Sequence, residues 1–337
     1  MPTLQFCIHG GVIDVAPRLR QSLAGTGDRT RQARAGAGIL GQPVRIGYRP
    51  GPMSSTVHDP AARASVLDFR GQMSLASRNR WAVRDIVEGL QLWPLARSLG
   101  WLDIRLRYRG SLLGPGWLTL STAVMIVALG VLYSTLFQID IHDYLPFLAL
   151  SQILWTFLAG MVSEGCSCFT QAEGMILAAR MPLFLHALRT LVRNVLVLAH
   201  NILVLVAVYL YFQINPGWTA LLSLPGVAVW IVDMLAVCLL LGAFCARFRD
   251  VGPIIGSIMQ IAFFLTPVIW QPEQLGPSQW TLPFNPFFAL LEIVRAPLLG
   301  SVPSLTVWKA ALFYSGILCV VSWLFFVRAR GRVPFWM

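Results

Sequence analysis

Long and mostly apolar stretches with almost no charged residues recur along the last two-thirds of the chain. Each has close to the roughly 20 residues that an α-helix needs to cross a bilayer. They predict six transmembrane helices, at residues 117–137, 144–163, 194–214, 219–246, 251–270 and 310–327. The stretch 271–308 differs, because it contains six prolines and three charged side chains. It predicts an outer re-entrant hairpin, built from short helices that enter the membrane part-way.

A second pattern lies before these helices, between residues 74 and 110. Helical spacing is evident in four leucines: Leu95, Leu99, Leu102 and Leu106. Such a stripe predicts an amphipathic helix that lies in the membrane plane on the cytoplasmic side. We expect Arg105, Arg107 and Arg109 to contact lipid phosphates there. The alternative interpretation is a helix packed against a soluble partner.

Residues 1–73 show no sustained apolar period. They are rich in Gly, Arg, Pro and Ser, so they predict a low-complexity, disordered tail. The apolar start is weak and interrupted, which makes this segment a poor signal peptide. Met53 and Met73 are alternative translation starts in addition to Met1.

Composition agrees with a polytopic all-α membrane protein. Of the 337 residues, 56% are apolar and 12% are charged, about half the charged share of a soluble domain. The net charge of +11 is concentrated before residue 111. Such a basic excess suits anionic lipid or nucleic acid, and the long apolar stretches favour the membrane, without a nucleic-acid partner.

Arginine placement predicts the orientation of the helices. With the N-terminus inside, the inner segments hold 24 of the 25 arginines, and those segments are 1–116, 164–193, 247–250 and 328–337. Because cytoplasmic loops of membrane proteins carry the excess of Lys and Arg, we expect both termini to be cytoplasmic.

Candidate chemistry within the chain is sparse. A P-loop needs a lysine after its glycines, and the single lysine, Lys309, precedes Ala310. We therefore expect a chain that does not hydrolyse ATP by that route, and no catalytic or metal site is predicted. Asp233 is more informative, since a carboxylate in mid-membrane needs a partner or water. It predicts a polar contact in a translocation path or a helix-locking hydrogen bond, with His200 and Asn201 as candidate partners.

Several short motifs follow one another in a definite order. The segments are 107–111 (RYRGS), 113–114 (LG) with Trp117, 180–182 (RMP), 247–251 (RFRDV), 266–270 (TPVIW), and Asn285-Pro286 followed by Arg295. Together, across residues 105–335, the chain closely resembles the membrane subunit of bacterial polysaccharide ABC exporters. These are the ABC-2 type permeases that export O-antigen, capsule and teichoic acid chains. Met181 departs from the pattern, because many relatives have Phe there.

The resemblance implies an export complex in the bacterial inner membrane. Two permeases would form a homodimer with two copies of an ATPase subunit, which binds ATP and Mg²⁺, so no cofactor is expected on this chain. The cargo would be a polysaccharide on an undecaprenyl-type lipid. The implied ATPase-coupling residues are Glu173, Arg180 and Pro182 in the second cytoplasmic segment, with Arg247, Arg249 and Asp250 in the third.

Aromatic residues suit a path for sugar rings. The candidate lining comprises Tyr133, Phe137, Trp155, Tyr209, Tyr211, Phe212 and Trp270, together with Asp233. An interfacial aromatic belt is the alternative interpretation. The hairpin 271–308 would then gate the exit.

Two other functions remain open from sequence. One is an ABC-2 permease for drugs or lipids. The other is a membrane-embedded glycan polymerase or acyltransferase, for which Asp140, His142 and Asp143 are the available outer groups.

Overall fold

A computed structural model of the protein describes residues 7–8, 11–12, 74–111, 114 and 116–337. The chain divides into two units, Met1–Phe69 and Arg70–Met337. In the first unit, β1 (Cys7–Ile8) pairs antiparallel with β2 (Gly11–Val12). The rest of the predicted disordered tail lies outside the described residues.

The described part of the second unit is helical, as predicted. Its α-helices in chain order are α1 (Leu75–Gln91), α2 (Trp93–Arg107), α3 (Gly116–Phe137), α4 (Ile141–Ser167), α5 (Glu173–Ala178), α6 (Leu183–Tyr211), α7 (Ser223–Arg247), α8 (Val251–Leu265), α9 (Pro286–Leu298) and α10 (Leu305–Ala329). Short 3₁₀ segments accompany them at Thr170–Ala172, Gly217–Leu222, Pro272–Phe284 and Val333–Phe335.

Polar side chains fix where several helices begin. Asp140 accepts a hydrogen bond from the His142 amide at 2.8 Å and so caps α4. Asn285 accepts from the amide of Phe287 at 2.9 Å at the start of α9, and Ser304 caps α10. Each cap satisfies an amide that the first helical turn leaves without a partner.

Five helices are long and apolar enough to cross a membrane: α3, α4, α6, α10, and α7 together with the preceding 3₁₀ turn. The predicted series of spans is therefore confirmed for five of its six members. The fifth predicted span, 251–270, forms a helix only to Leu265. Its 15 residues rise about 22 Å, less than the roughly 30 Å of the hydrocarbon core.

The core lies where α4, α6, α7 and α9 meet. Helix α4 is the most enclosed of the long helices, and α9 packs against both α7 and α10, which also contact each other. Trp230 on α7 is fully buried, and its indole N–H donates to the Leu290 carbonyl of α9 at 2.9 Å. The hairpin region 271–308 thus contributes a buried helix to the core.

The helix termini collect at two ends of the bundle. At the basic end, Asp85 of α1 accepts from the Phe184 amide at the start of α6 and from Arg330 just after α10. At the distal end, the Tyr209 hydroxyl of α6 donates to the Leu298 carbonyl of α9. Helix α8 begins next to the basic end, directly after Asp250, and the chain beyond it reaches the distal end.

Helices α1 and α2 together form the predicted region 74–110. Helix α2 packs on α6 through Ala96, Gly100 and Ile104, which are buried at intervals of four residues. The leucine stripe faces elsewhere, and Leu95, Leu102 and Leu106 are exposed. One side of α2 therefore belongs to the bundle and another is free to meet lipid.

Gly100 sets how closely α2 approaches α6. A Cβ at this position would lie 2.8 Å from Cγ1 of Val192 and 3.0 Å from the Arg189 carbonyl. We expect Gly100→Ala to lower stability by about 1–3 kcal/mol through overpacking, although alanine favours the helix. The thermal unfolding midpoint in detergent measures this. Gly316→Ala on α10 is the control, since its Cβ meets no atom within 4 Å; equal behaviour of the two variants would contradict the prediction.

Candidate functional sites at the two ends of the bundle

The basic end presents an exposed surface built from three chain segments. We call these segments the basic-end surface, and they are Glu173–Arg180, Arg247–Asp250 and Val333–Trp336. The C-terminal turn Val333–Phe335 contacts both α5 and α7, and the Arg247 guanidinium lies 5.9 Å from the Trp336 ring. The C-terminal turn thus joins the two segments to which the resemblance assigns ATPase coupling.

The side chains of this surface are available to a partner. Arg180, Arg247, Arg249 and Asp250 are exposed, and Glu173 is half-buried at the start of α5. Pro182 is half-buried and ends the segment, as the residue before α6. Apolar groups lie among these charges: Leu177, Phe248 and Phe335 are exposed, the last by 85%. Exposed apolar groups with charged neighbours are typical of a protein-binding surface.

The three arginines predicted to contact lipid phosphates lie in different surroundings. Arg105 and Arg109 are exposed at and beyond the end of α2. Arg107 is half exposed and donates to Glu164 at the end of α4, at 3.0 Å. Arg107 therefore has a protein partner, whereas the guanidinium groups of Arg105 and Arg109 form no ion pair within the described residues and suit an anionic surface.

A buried ionic network continues inward from Arg107. Arg189 forms a two-bond fork with Asp103, at 2.7 and 2.5 Å. Arg193 donates to Glu164 at 2.7 Å and to Gln171 at 3.0 Å. The network connects α2, α4 and α6 to the 3₁₀ turn that leads into α5. Sequence analysis missed it, although carboxylates and arginines at the edges of apolar stretches were a usable signal.

The predicted aromatic path residues fall into separate groups. At the distal end, Tyr133 stacks on Phe137 with 5.4 Å between ring centroids, and Tyr211 meets Phe212 edge to face. Tyr209 is engaged in its bond to the Leu298 carbonyl. Trp155 is buried in mid-bundle against Phe263 and Phe287. These residues do not form one continuous surface within the described part of this single chain.

Trp270 belongs to a wider groove between α8 and the 3₁₀ segment Pro272–Phe284. We call it the α8 groove; it has a volume of about 880 Å³ and its lining includes Ile261, Phe264, Trp270, Thr281, Phe284 and Asn285. The Trp270 indole donates to the Phe264 carbonyl at 3.1 Å. Phe264 and Phe284 expose most of their side chains. The exposed rings suit stacking with sugar rings, and the Thr281 hydroxyl, which donates to the Ser278 carbonyl, can accept a hydrogen bond from a sugar. The Asn285 amide is already engaged in capping α9 and in its bond to Thr266.

Arg295 is the main charged residue of the distal end and is only 1% exposed. Its guanidinium donates to Glu292, to the Ser151 hydroxyl and to the Pro267 carbonyl, and it lies 4.8 Å from the Phe147 ring. It thereby joins α9 to α4 and to the turn after α8. Sequence analysis placed Arg295 in the outer hairpin without this role.

Asp233 has a partner other than the predicted ones. Its Oδ2 accepts from the Ser315 hydroxyl of α10 at 2.7 Å. Asn201 instead contacts Thr122, and His200 bonds the Leu196 carbonyl. The expectation of His200 or Asn201 was therefore wrong: both lie on a different side of the bundle, facing α3.

Comparison with known proteins decides the family. The family model described as ABC-2 type transporter matches residues 95–299. The chain belongs to the ABC-2 type transporter family. This match covers α2 through α9, and with them the ionic network, the α8 groove and the Arg295 cluster.

Two relatives within this family have informative names. The O-antigen export system permease protein RfbA of Myxococcus xanthus is 22% identical over 217 residues, which cover 64% of this chain and 84% of the relative. The protein of the same name from Klebsiella pneumoniae is 18% identical over 221 residues, covering 65% and 85%. This ABC-2 chain is therefore homologous to O-antigen export permeases, and the resemblance read from its motifs is confirmed.

Proposed function

We propose that this chain is the permease subunit of an ABC exporter that moves lipid-linked polysaccharide across the bacterial inner membrane. The observation that supports this most is homology to two permeases named for O-antigen export. In this proposal two copies of the chain form the pore, and a separate ATPase supplies the energy.

The basic end faces the cytoplasm in this proposal. It carries the arginines of α2, the ionic network and the basic-end surface, so it follows the positive-inside rule. Arg105 and Arg109 then lie at the depth of anionic headgroups, where they would also attract the phosphates of a lipid carrier. The C-terminal turn Val333–Phe335 lies on this side, in agreement with the expectation of cytoplasmic termini.

The basic-end surface is the ATPase docking site in this proposal. Glu173 and Arg180 supply charges of opposite sign on one short segment, and Leu177 supplies the apolar contact between them. The ionic network connects Gln171, which lies just before this segment, to α2, α4 and α6. In this proposal a movement of the segment Glu173–Arg180 therefore displaces these three helices.

The α8 groove is the contact surface for sugar in this proposal. Helix α8 serves as a shortened sixth crossing, and the chain from Thr266 to Trp270 completes its path. Lining side chains such as Ile261 and Phe264 are exposed in the single chain, and in this proposal a second copy of the chain encloses the groove. Aromatic faces bind sugar rings without fixing them in one register, which a sliding polymer requires.

Charge reversal on the basic-end surface tests the coupling. We expect Glu173→Lys and Arg180→Glu each to reduce surface polysaccharide at least about tenfold. Each variant replaces an attraction to the ATPase by a repulsion between like charges, which costs several kcal/mol of binding free energy. The measurement is an immunoblot of surface glycan in a strain that carries only the variant, with membrane abundance determined in parallel.

Asp143→Lys is the matched control, since Asp143 is exposed at the distal end. It should leave export near the wild-type level. Normal export in both basic-end variants would overturn the docking assignment. Retention of surface glycan after deletion of the gene would overturn the function itself.

A further inference from the structure

A pocket apart from the proposed coupling and sugar-contact surfaces lies in mid-bundle, between α4, α7, α9 and α10. It has a volume of about 380 Å³, within the range of small-molecule sites. Its walls are mostly aliphatic and include Leu158, Val162, Leu290, Ile317 and Val321. Ile317 and Val321 are exposed on the outer side of α10, so the mouth opens laterally, in the direction of lipid.

One charged side chain contributes to this wall, that of Asp233. Oδ2 of its carboxylate accepts from Ser315, but Oδ1 is buried without a hydrogen-bond partner among the described residues. Asp233 is 4% exposed. The pocket lining includes no Arg, Lys or His from the described part of the chain. A buried carboxylate with one unpaired oxygen favours a cation strongly.

Two aromatic rings contribute to the same wall. Phe287 and Tyr314 line the pocket, and the Tyr314 hydroxyl donates to the Phe284 carbonyl. That bond fixes the tyrosine ring at the rim. Aromatic faces attract ammonium groups, most of all in a site without water.

From this arrangement we infer that the pocket is a binding site for lipophilic amines that enter from the membrane. The ammonium group donates to the carboxylate of Asp233, whose Oδ1 has almost no accessible surface in this structure and turns toward the cavity when the amine binds. The hydrocarbon part fills the aliphatic cavity. A purely apolar lipid chain would leave the carboxylate oxygen unpaired, so the amine is the better occupant. This site is distinct from the α8 groove, although Pro286 and Phe287 line both.

A fluorescence titration with propranolol tests the inference. Propranolol is added to the purified full-length chain in lipid nanodiscs, and the signal from empty nanodiscs is subtracted as background. Propranolol combines a naphthyl group with a secondary amine. Its neutral analogue, 3-(1-naphthyloxy)propane-1,2-diol, is the ligand control. We expect saturable binding of propranolol, and Asp233→Asn should weaken it about tenfold or more, the value of a charge-assisted hydrogen bond. The diol should bind wild type and variant equally.

Two further variants make the outcome decisive. Asp143→Asn removes an exposed carboxylate of the distal end and should bind propranolol as wild type does. Val162→Phe fills the pocket, keeps Asp233, and should abolish binding. It tests the pocket even if the Asp233→Asn variant does not fold. Equal propranolol binding by wild type and Val162→Phe would overturn the inference. So would an Asp233→Asn variant whose affinity for the diol falls as much as its affinity for propranolol. Export plays no part in this assay, so its result is independent of the proposed function.

Discussion

Arg295→Met should destabilise the protein by about 3–5 kcal/mol, the usual cost of breaking a buried ion pair from one side. Methionine keeps most of the side-chain volume but donates no hydrogen bond. Glu292 would lose its cation, and the Ser151 hydroxyl and the Pro267 carbonyl would lose their bonds to the guanidinium. The junction of α9, α4 and the turn after α8 should loosen first.

The thermal unfolding midpoint in detergent measures this effect. For a chain of this size each kcal/mol corresponds to about 2–4 °C, so we expect a decrease of about 10 °C. Adding Glu292→Gln to Arg295→Met should recover part of the loss, because the stranded carboxylate becomes neutral. An Arg295→Met variant that unfolds within about 2 °C of wild type would show that the cluster contributes little.

The sequence specifies the long helices of this protein well, for a physical reason. In a bilayer every backbone polar group must be satisfied within the segment, so a long apolar stretch has few alternatives to a helix. Helices α3 and α10 therefore differ from their predicted ranges by only a few residues. Helix α6 begins at Leu183, earlier than the predicted span start at 194. Its first turns are largely apolar and buried against α1 and α2, and the arginines that bounded the predicted span, Arg189 and Arg193, are paired with carboxylates.

The end of helix α8 is not predicted by apolar composition. Residues 266–270 are as apolar as a helix interior, yet the helix ends at Leu265. Pro267 disfavours the helical conformation of Thr266, and Thr266 is extended in the structure. Buried contacts from Tyr144 and Arg295 then hold the carbonyls of this turn. Those contacts come from residues far apart in sequence, and local hydropathy does not predict such long-range contacts.

In the candidate sites, the location of the segments was predictable from sequence and the side-chain partners were not. The motifs identified which segments reach the basic end, because arginine placement records topology. Side-chain partners such as Ser315 for Asp233, or Glu164 for Arg107, depend on how the helices are rotated about their axes. A pattern of apolar residues with very weak amphipathicity, as in α3 and α10, holds little information on that rotation. The C-terminal turn was missed as part of the basic-end surface because it contacts α5 and α7, which are far from it in sequence.

Arg193→Met should cost about 3 kcal/mol, the lower end of the range for a broken buried pair. Arg193 is buried and bonds Glu164 and Gln171. The loss is smaller than for Arg295, because Glu164 keeps Arg107 and the Asn194 amide as donors. Arg193→Lys should recover only part of it, since an ammonium cannot reproduce the planar fork of donors.

Comparison with an exposed pair separates burial from charge as the origin of this effect. Arg84 and Glu88 form a 2.6 Å pair on the outer face of α1, with both side chains largely exposed. Arg84→Met removes the same charge but should shift the thermal midpoint by no more than about 2 °C, because exposed pairs contribute roughly 0–1 kcal/mol. If Arg193→Met and Arg84→Met unfold at the same temperature, the network does not hold α2, α4 and α6 together. A clear difference would show that the buried network stabilises the contacts among α2, α4 and α6 more than an exposed pair of the same charges stabilises α1.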